Sequence, residues 1–113
     1  MTKVLKELIL KESPDRNQFK IRLKKLDPEF IVSESSPSVV LFYLPHGVYV
    51  GLYPNDNRIL ITVEKFSTKY QRGSFLWSEV YKIRKKYAKK IVIPYIKCIL
   101  DNLEIEYKEK EVC

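Results

Sequence analysis

The sequence predicts an α+β fold: an antiparallel β-meander packed against a long C-terminal helix that kinks or breaks near Pro94. Two patterns carry this expectation. Three β-rich runs, Val39 to Leu44, Val48 to Tyr53 and Ile59 to Phe66, follow one another with turn chemistry between them, and from Ser74 onward the apolar period changes to 3.6. The length supplies a third. A chain of 113 residues, 45% hydrophobic and 31% charged, fits one domain over residues 1–113 that buries roughly two thirds of its unfolded surface.

From the N-terminus, Val4 to Glu12 mixes apolar and charged residues and admits a short helix or a first strand, with strand the expectation. Ser13-Pro14-Asp15 reads as a turn. Phe19, Ile21 and Leu23 then alternate with Lys20, Arg22 and Lys24, the period of a half-buried strand that Asp27-Pro28 ends. Ser35-Ser36-Pro37 is the next break. Between the three β-rich runs, Pro45-His46-Gly47 supplies a glycine able to take positive φ, and Pro54-Asn55-Asp56-Asn57 combines a preset φ with side chains that cap their own turn.

Leu76, Val80, Ile83, Tyr87 and Ile91 form one stripe at helical spacing and are expected on the buried face. Pro94 should kink or break that helix near Val92, because it lacks an N–H and clashes with the preceding turn. Tyr95, Cys98, Ile99 and Leu103 keep helical spacing beyond it, although Asp101-Asn102 is a plausible stop that leaves Leu103 just outside. Ile105, Tyr107 and Val112 among Glu104, Glu106 and Lys108 suggest a final acidic edge strand.

The formal charge of +7 is concentrated in one place. Between Lys65 and Lys90 stand nine bases (Lys65, Lys69, Arg72, Lys82, Arg84, Lys85, Lys86, Lys89 and Lys90) against Glu79 alone, a net of +8 that leaves −1 for the rest of the chain. Stepping 100° per residue places Lys82, Lys85, Lys86 and Lys89 within an arc of about 100°, largely opposite the apolar stripe, and sets Arg84 at the flank of the apolar face beside Trp77 and Tyr81, where it can pack against rings as well as reach a phosphate. Like charges at this spacing repel, so a ridge without acids suits a polyanion that neutralises it; Lys-rich composition and solubility produce such ridges too. Lys65, Lys69 and Arg72 lead into the helix with Phe66, Tyr70, Phe75 and Trp77 among them. Aromatic rings beside bases are what single-strand binding uses, and Tyr70 and Trp77 are the candidate stacking residues; as alternatives, Phe75 and Trp77 belong to the core and Tyr70 fills a loop.

The run Ile59-Leu60-Ile61-Thr62-Val63-Glu64-Lys65-Phe66, a polar loop, Gly73 and a helix with an aromatic near its start (Trp77 or Tyr81) resemble the PC4-like single-stranded DNA-binding domains of transcription coactivators. The likeness covers about residues 48–87. It implies single-strand binding across the sheet and dimerisation through helices. Glu64 departs from that family, which tends to have a base there, and the loop lacks the family's Pro-Gly-Lys-Lys character.

Catalytic chemistry finds little footing. His46 sits in a turn without a local acid or nucleophile, Cys98 and Cys113 lie fifteen apart without metal-ligand spacing, and no glycine-rich phosphate loop occurs. Glu106-Tyr107-Lys108, with Asp101 before it, has the Glu-x-Lys form of metal-dependent nucleases, a triplet that chance supplies freely in a Lys- and Glu-rich chain.

The expectation is therefore a nucleic-acid-binding accessory or regulatory protein, not an enzyme, with no cofactor and no metal. Its ligand is DNA or RNA, single strands slightly favoured, and a homodimer is compatible. The alternative is a protein-interaction module, such as a viral factor on an acidic host surface; a small metal-dependent nuclease is third. No apolar run reaches the roughly 18 residues of a membrane span, which points to the cytoplasm, that of the host if the chain is viral. One Ala, two Gln and abundant Lys and Glu follow the trend of hot environments, a bias that an AT-rich genome gives in part, and suggest a hyperthermophilic archaeon or its virus.

Overall fold

A computed structural model describes residues 2–26, 28–36, 38–44, 47–64 and 75–111, with the side chains of 2, 35, 36, 75–78 and 111 outside that description. The N-terminal segment is a strand, β1 (Thr2–Leu10), as expected. The next segment differs from expectation. Residues read as an alternating strand form helix α1 (Arg16–Lys24), because Asp15 Oδ1 accepts from the backbone N–H groups of Asn17 (2.9 Å) and Gln18 (3.1 Å) and so caps the first turn. Phe19 and Leu23 are one helical turn apart and fully buried, while Ile21 between them is 54% exposed. Phe19 and Leu23 satisfy both periods, and the cap decides.

The meander is present and one strand longer than anticipated. β2 (Ile31–Ser36) precedes β3 (Val39–Leu44), β4 (Val48–Tyr53) and β5 (Arg58–Glu64). Gly47 holds φ +65° before β4, and a 3₁₀ turn at Pro54–Asp56, closed by Asn57 at φ 51°, joins β4 to β5. β1 pairs with β5 and the charged edge strand β6 (Tyr107–Glu111) pairs with β1, giving the antiparallel order β2-β3-β4-β5-β1-β6. His46 and Val112 lie outside the described residues.

One face of this sheet carries Val40, Phe42, Val48, Val50, Ile59 and Ile61, all fully buried under the helices. Phe19 of α1 meets Phe42 with ring centroids 5.4 Å apart. Over the same face runs α2 (Phe75–Tyr87), a π-helical turn (Ala88–Val92) and α3 (Ile93–Asn102). Tyr95 of α3 donates to the Arg22 carbonyl at the end of α1 (2.8 Å), which also accepts from the Lys25 N–H (3.2 Å).

The break expected near Val92 is this π turn. Pro94 has no N–H for the Lys90 carbonyl, and its ring crowds that carbonyl. The helix responds by widening, and the Ile93 N–H reaches back five residues to Ala88. The extra residue changes which side chains face the core. Arg84, Ala88, Val92, Ile96 and Leu100 recur every four residues, which on a uniform helix drifts by about 40° per step, about 160° over the run. The π turn offsets much of that drift, so Ala88, Val92, Ile96 and Leu100 are all fully buried. The stripe expected from uniform spacing is correspondingly wrong at two positions: Ile83 is 62% exposed and Ile91 45% exposed.

α3 stops at Asn102, leaving Leu103 just outside as its C-cap. The Glu104 N–H donates to the Asp101 carbonyl (3.1 Å) and the Ile105 N–H to that of Leu100 (2.9 Å), a Schellman pair with Glu104 left-handed at φ 58° where glycine is usual.

Two stability predictions follow this geometry. Ile96→Ala should cost about 2–5 kcal/mol in chemical denaturation, whereas Ile91→Ala should stay within about 0.5 kcal/mol. Equal costs would mean the π turn does not set the phase. Glu104→Gly should stabilise by about 0.5–1 kcal/mol, the left-handed penalty less the entropy that glycine restores to the unfolded chain.

Candidate nucleic-acid interface

The lysine ridge is real and solvent-facing. Lys82, Lys86, Lys89 and Lys90 are exposed on the side of the helix away from the buried row, and Lys85 is half-buried with its ammonium 6.0 Å from the Tyr81 ring centroid. Lys82 pairs with Glu79 at 3.5 Å. Lys86, Lys89 and Lys90 have no acidic partner within salt-bridge distance among the described residues. Eight residues at 1.5 Å make the ridge about 12 Å long. At 3.4 Å of duplex axis per charge on one strand, that faces about three or four phosphates.

The other residues expected at this interface fare differently. Lys65, Lys69, Tyr70 and Arg72 lie outside the described residues. Trp77 is in the first turns of α2, but its side chain is also outside. Arg84 turns away from the ridge. Its Nη1 lies 3.6 Å from Glu64 Oε2, and its guanidinium lies against Gly47, where an added Cβ would come within 2.8 Å. Arg84 thus clamps the β3–β4 turn to the helix.

Glu64 Oε2 also accepts from the Tyr49 hydroxyl at 2.9 Å. Burial first, and then the hydrogen bond to Glu64, push the Tyr49 phenol up to about 12. This residue belongs to a surface the sequence reading missed. On the sheet face opposite the helices, Tyr43, Tyr49 and Tyr53 stand with Leu41, Gly51, Leu60 and Thr62 around a hollow of about 320 Å³, and Tyr43 meets Tyr49 edge to face at 5.3 Å. The signal was present in the alternation: β3 and β4 are apolar or aromatic on both faces, which a strand with one wet face is not.

The nuclease triplet gains no support. Glu106 is exposed and pairs with Lys11 at 3.2 Å beside an open groove at the β1–β6 edge, and among the described residues no group of three or more His, Cys, Asp or Glu could hold a metal. No helix among the described residues is long and apolar enough to cross a membrane.

The Tyr49 linkage is testable. The unfolded chain releases this phenolic proton near the ordinary value of 10.0 and the folded chain near 12, so the folded state's advantage is complete below pH 10 and is lost as pH rises toward 12. Denaturant midpoints between pH 9.5 and 11.5 should therefore fall more steeply for wild type than for Tyr49→Phe. Parallel slopes would refute the Tyr49–Glu64 coupling.

Comparison with family models, with curated proteins and with solved structures gives no match, so the interface is argued from its own geometry.

Proposed function

We propose that this chain is a cytoplasmic nucleic-acid-binding accessory or regulatory protein that grips phosphates with Lys82, Lys85, Lys86, Lys89 and Lys90. The observation that carries the reading is the run of exposed lysines, of which only Lys82 has an acidic partner among those described. Five like-charged pairs at i,i+3 or i,i+4 cost roughly 0.2–0.5 kcal/mol each, about 1–2.5 in all, and a polyanion reverses the sign of that term. Phosphate contacts of this kind give affinity and positioning without base specificity. Lys65, Lys69 and Arg72, with Tyr70 and Trp77 near them, stand next to the ridge in sequence and add positive charge and rings suited to single strands. The reading assigns no catalytic step and no cofactor to the chain.

A second reading has its own support. Ile83 and Ile91 lie exposed along one flank of the ridge, and phosphates offer nothing to an isoleucine. A protein partner with an acidic, partly apolar surface would use both rows.

Fluorescence anisotropy with labelled single-stranded and double-stranded oligonucleotides separates the two. Wild type should bind with a log-log salt slope of several units, about 0.7–0.9 per phosphate contact, and replacing Lys82, Lys85, Lys86 and Lys89 by Ala should remove most of it. Ile83→Ser with Ile91→Ser should leave that slope intact. Binding weaker than about 100 μM for both strand types near physiological salt would reject the nucleic-acid reading in favour of the protein partner.

A further inference from the structure

We propose that the open face of the sheet is a homodimer interface, and that the dimer, carrying its lysine ridges on opposite outer surfaces, joins two segments of nucleic acid. The bridging part rests on the reading above; the interface does not.

The face is built for cover. A half-solvated antiparallel sheet alternates apolar and polar residues, yet β2 to β5 point Ile31, Leu41, Tyr43, Tyr49, Tyr53 and Leu60 away from the core. Ile31 is 67% exposed. The four strands β2 to β5, at about 4.8 Å spacing and about 20 Å length, present on the order of 400 Å² per copy, about 800 Å² for a pair, the size of a weak self-association.

Charge placement selects a second copy as the occupant. Several charges bordering this face are matched at home: Arg58 pairs with Glu7 (3.0 Å) and Asp56 (3.8 Å), Lys110 stands 4.0 Å from Glu7, and Glu64 takes Arg84 and Tyr49. On the helical side, residues 79–90 carry six bases (Lys82, Arg84, Lys85, Lys86, Lys89 and Lys90) against Glu79, a net of +5. Two such molecules meet with least repulsion sheet to sheet, which turns both ridges outward.

Shape fits a two-fold axis. Ile31 projects from the edge strand, and the hollow over Gly51 lies two strands away, its floor kept open because a Cβ there would stand 3.1 Å from the Tyr53 ring. Register sets Ile31 beside Tyr43 and Leu41 beside Gly51, so an axis over β3 seats each copy's Ile31 in the other's hollow. With sheets about 10 Å apart and helices about 10–12 Å thick, the ridges stand on the order of 40 Å apart, facing opposite ways. One duplex cannot reach both.

Sedimentation equilibrium of the full chain decides the interface. Wild type should run at twice 13.4 kDa, Ile31→Lys and Tyr43→Lys should each weaken association roughly tenfold or more, and Ile21→Lys on α1 should not. A wild type that is monomeric at about 100 μM, or a dimer that survives both sheet substitutions, overturns the proposal. Bridging is read by whether an immobilised oligonucleotide captures a second, labelled one through the protein. Wild type should capture it, and Ile31→Lys should bind the first with an unchanged salt slope and capture nothing. Capture by a monomeric Ile31→Lys overturns the arrangement. A wild-type dimer that binds no nucleic acid refutes the ridge and the bridging while the interface stands.

Discussion

Most of what this molecule presents to solvent depends on one missing hydrogen-bond donor. Pro94 cannot serve the Lys90 carbonyl, and the helix accommodates it with a π turn instead of a sharp bend. That single added residue keeps Ala88, Val92, Ile96 and Leu100 over the sheet. Because the rotation is shared by every side chain on the helix, the same adjustment turns Lys86, Lys89 and Lys90 outward and leaves Ile83 and Ile91 on the flank. Core and ridge are two consequences of one phase.

Magnitudes explain why the ridge is tolerated. Three fully buried aliphatic side chains at Val92, Ile96 and Leu100 contribute about 1.5–3 kcal/mol each, roughly 5–9 together. Lysine repulsion along the exposed face opposes this with about 1–2.5 kcal/mol. The helix is held by its buried row, so its outer face is free to carry a charge pattern chosen for something other than folding. Arg84 marks the limit of that freedom: one residue before Lys85, it already belongs to the inner side and is taken up by Glu64 and Gly47.

The legible parts of the fold were those where local chemistry and tertiary context agree. β3 and β4 have the boundaries of their β-rich runs, Gly47 takes the positive φ its turn allows, and β6 is the charged edge its Glu and Lys residues suggest. The failures share a cause. Phe19 and Leu23 satisfy periods of 2 and of about 4 alike, Ile21 fits only the first, and the Asp15 cap discriminates. Ile83 and Ile91 fit a uniform helix that the chain does not form, since periodicity contains no term for an inserted π residue. Of the candidate site, the lysines at 82, 86, 89 and 90 were legible as a surface. Helical stepping sets Arg84 at the flank of the apolar face, but its partner at the β3–β4 turn is a contact more than 35 residues away in sequence that no local window contains.

The tyrosine face escaped notice for a related reason. Each tyrosine alone is ordinary in a strand, and β-propensity accounts for it without further purpose. Only the register, which sets Tyr43 against Tyr49, Leu41 against Gly51 and Tyr53 against Arg58, assembles them into one surface. Across β3 and β4 the sheet is apolar on both faces, while Glu7, Arg58, Glu64 and Lys110 on its open face are held in ion pairs, so the molecule has two unlike sides: a helical layer with its lysines outward, and a sheet with Ile31 and Tyr43 exposed. The two sides are joined where Arg84 of α2 reaches Glu64, which also accepts from the Tyr49 hydroxyl.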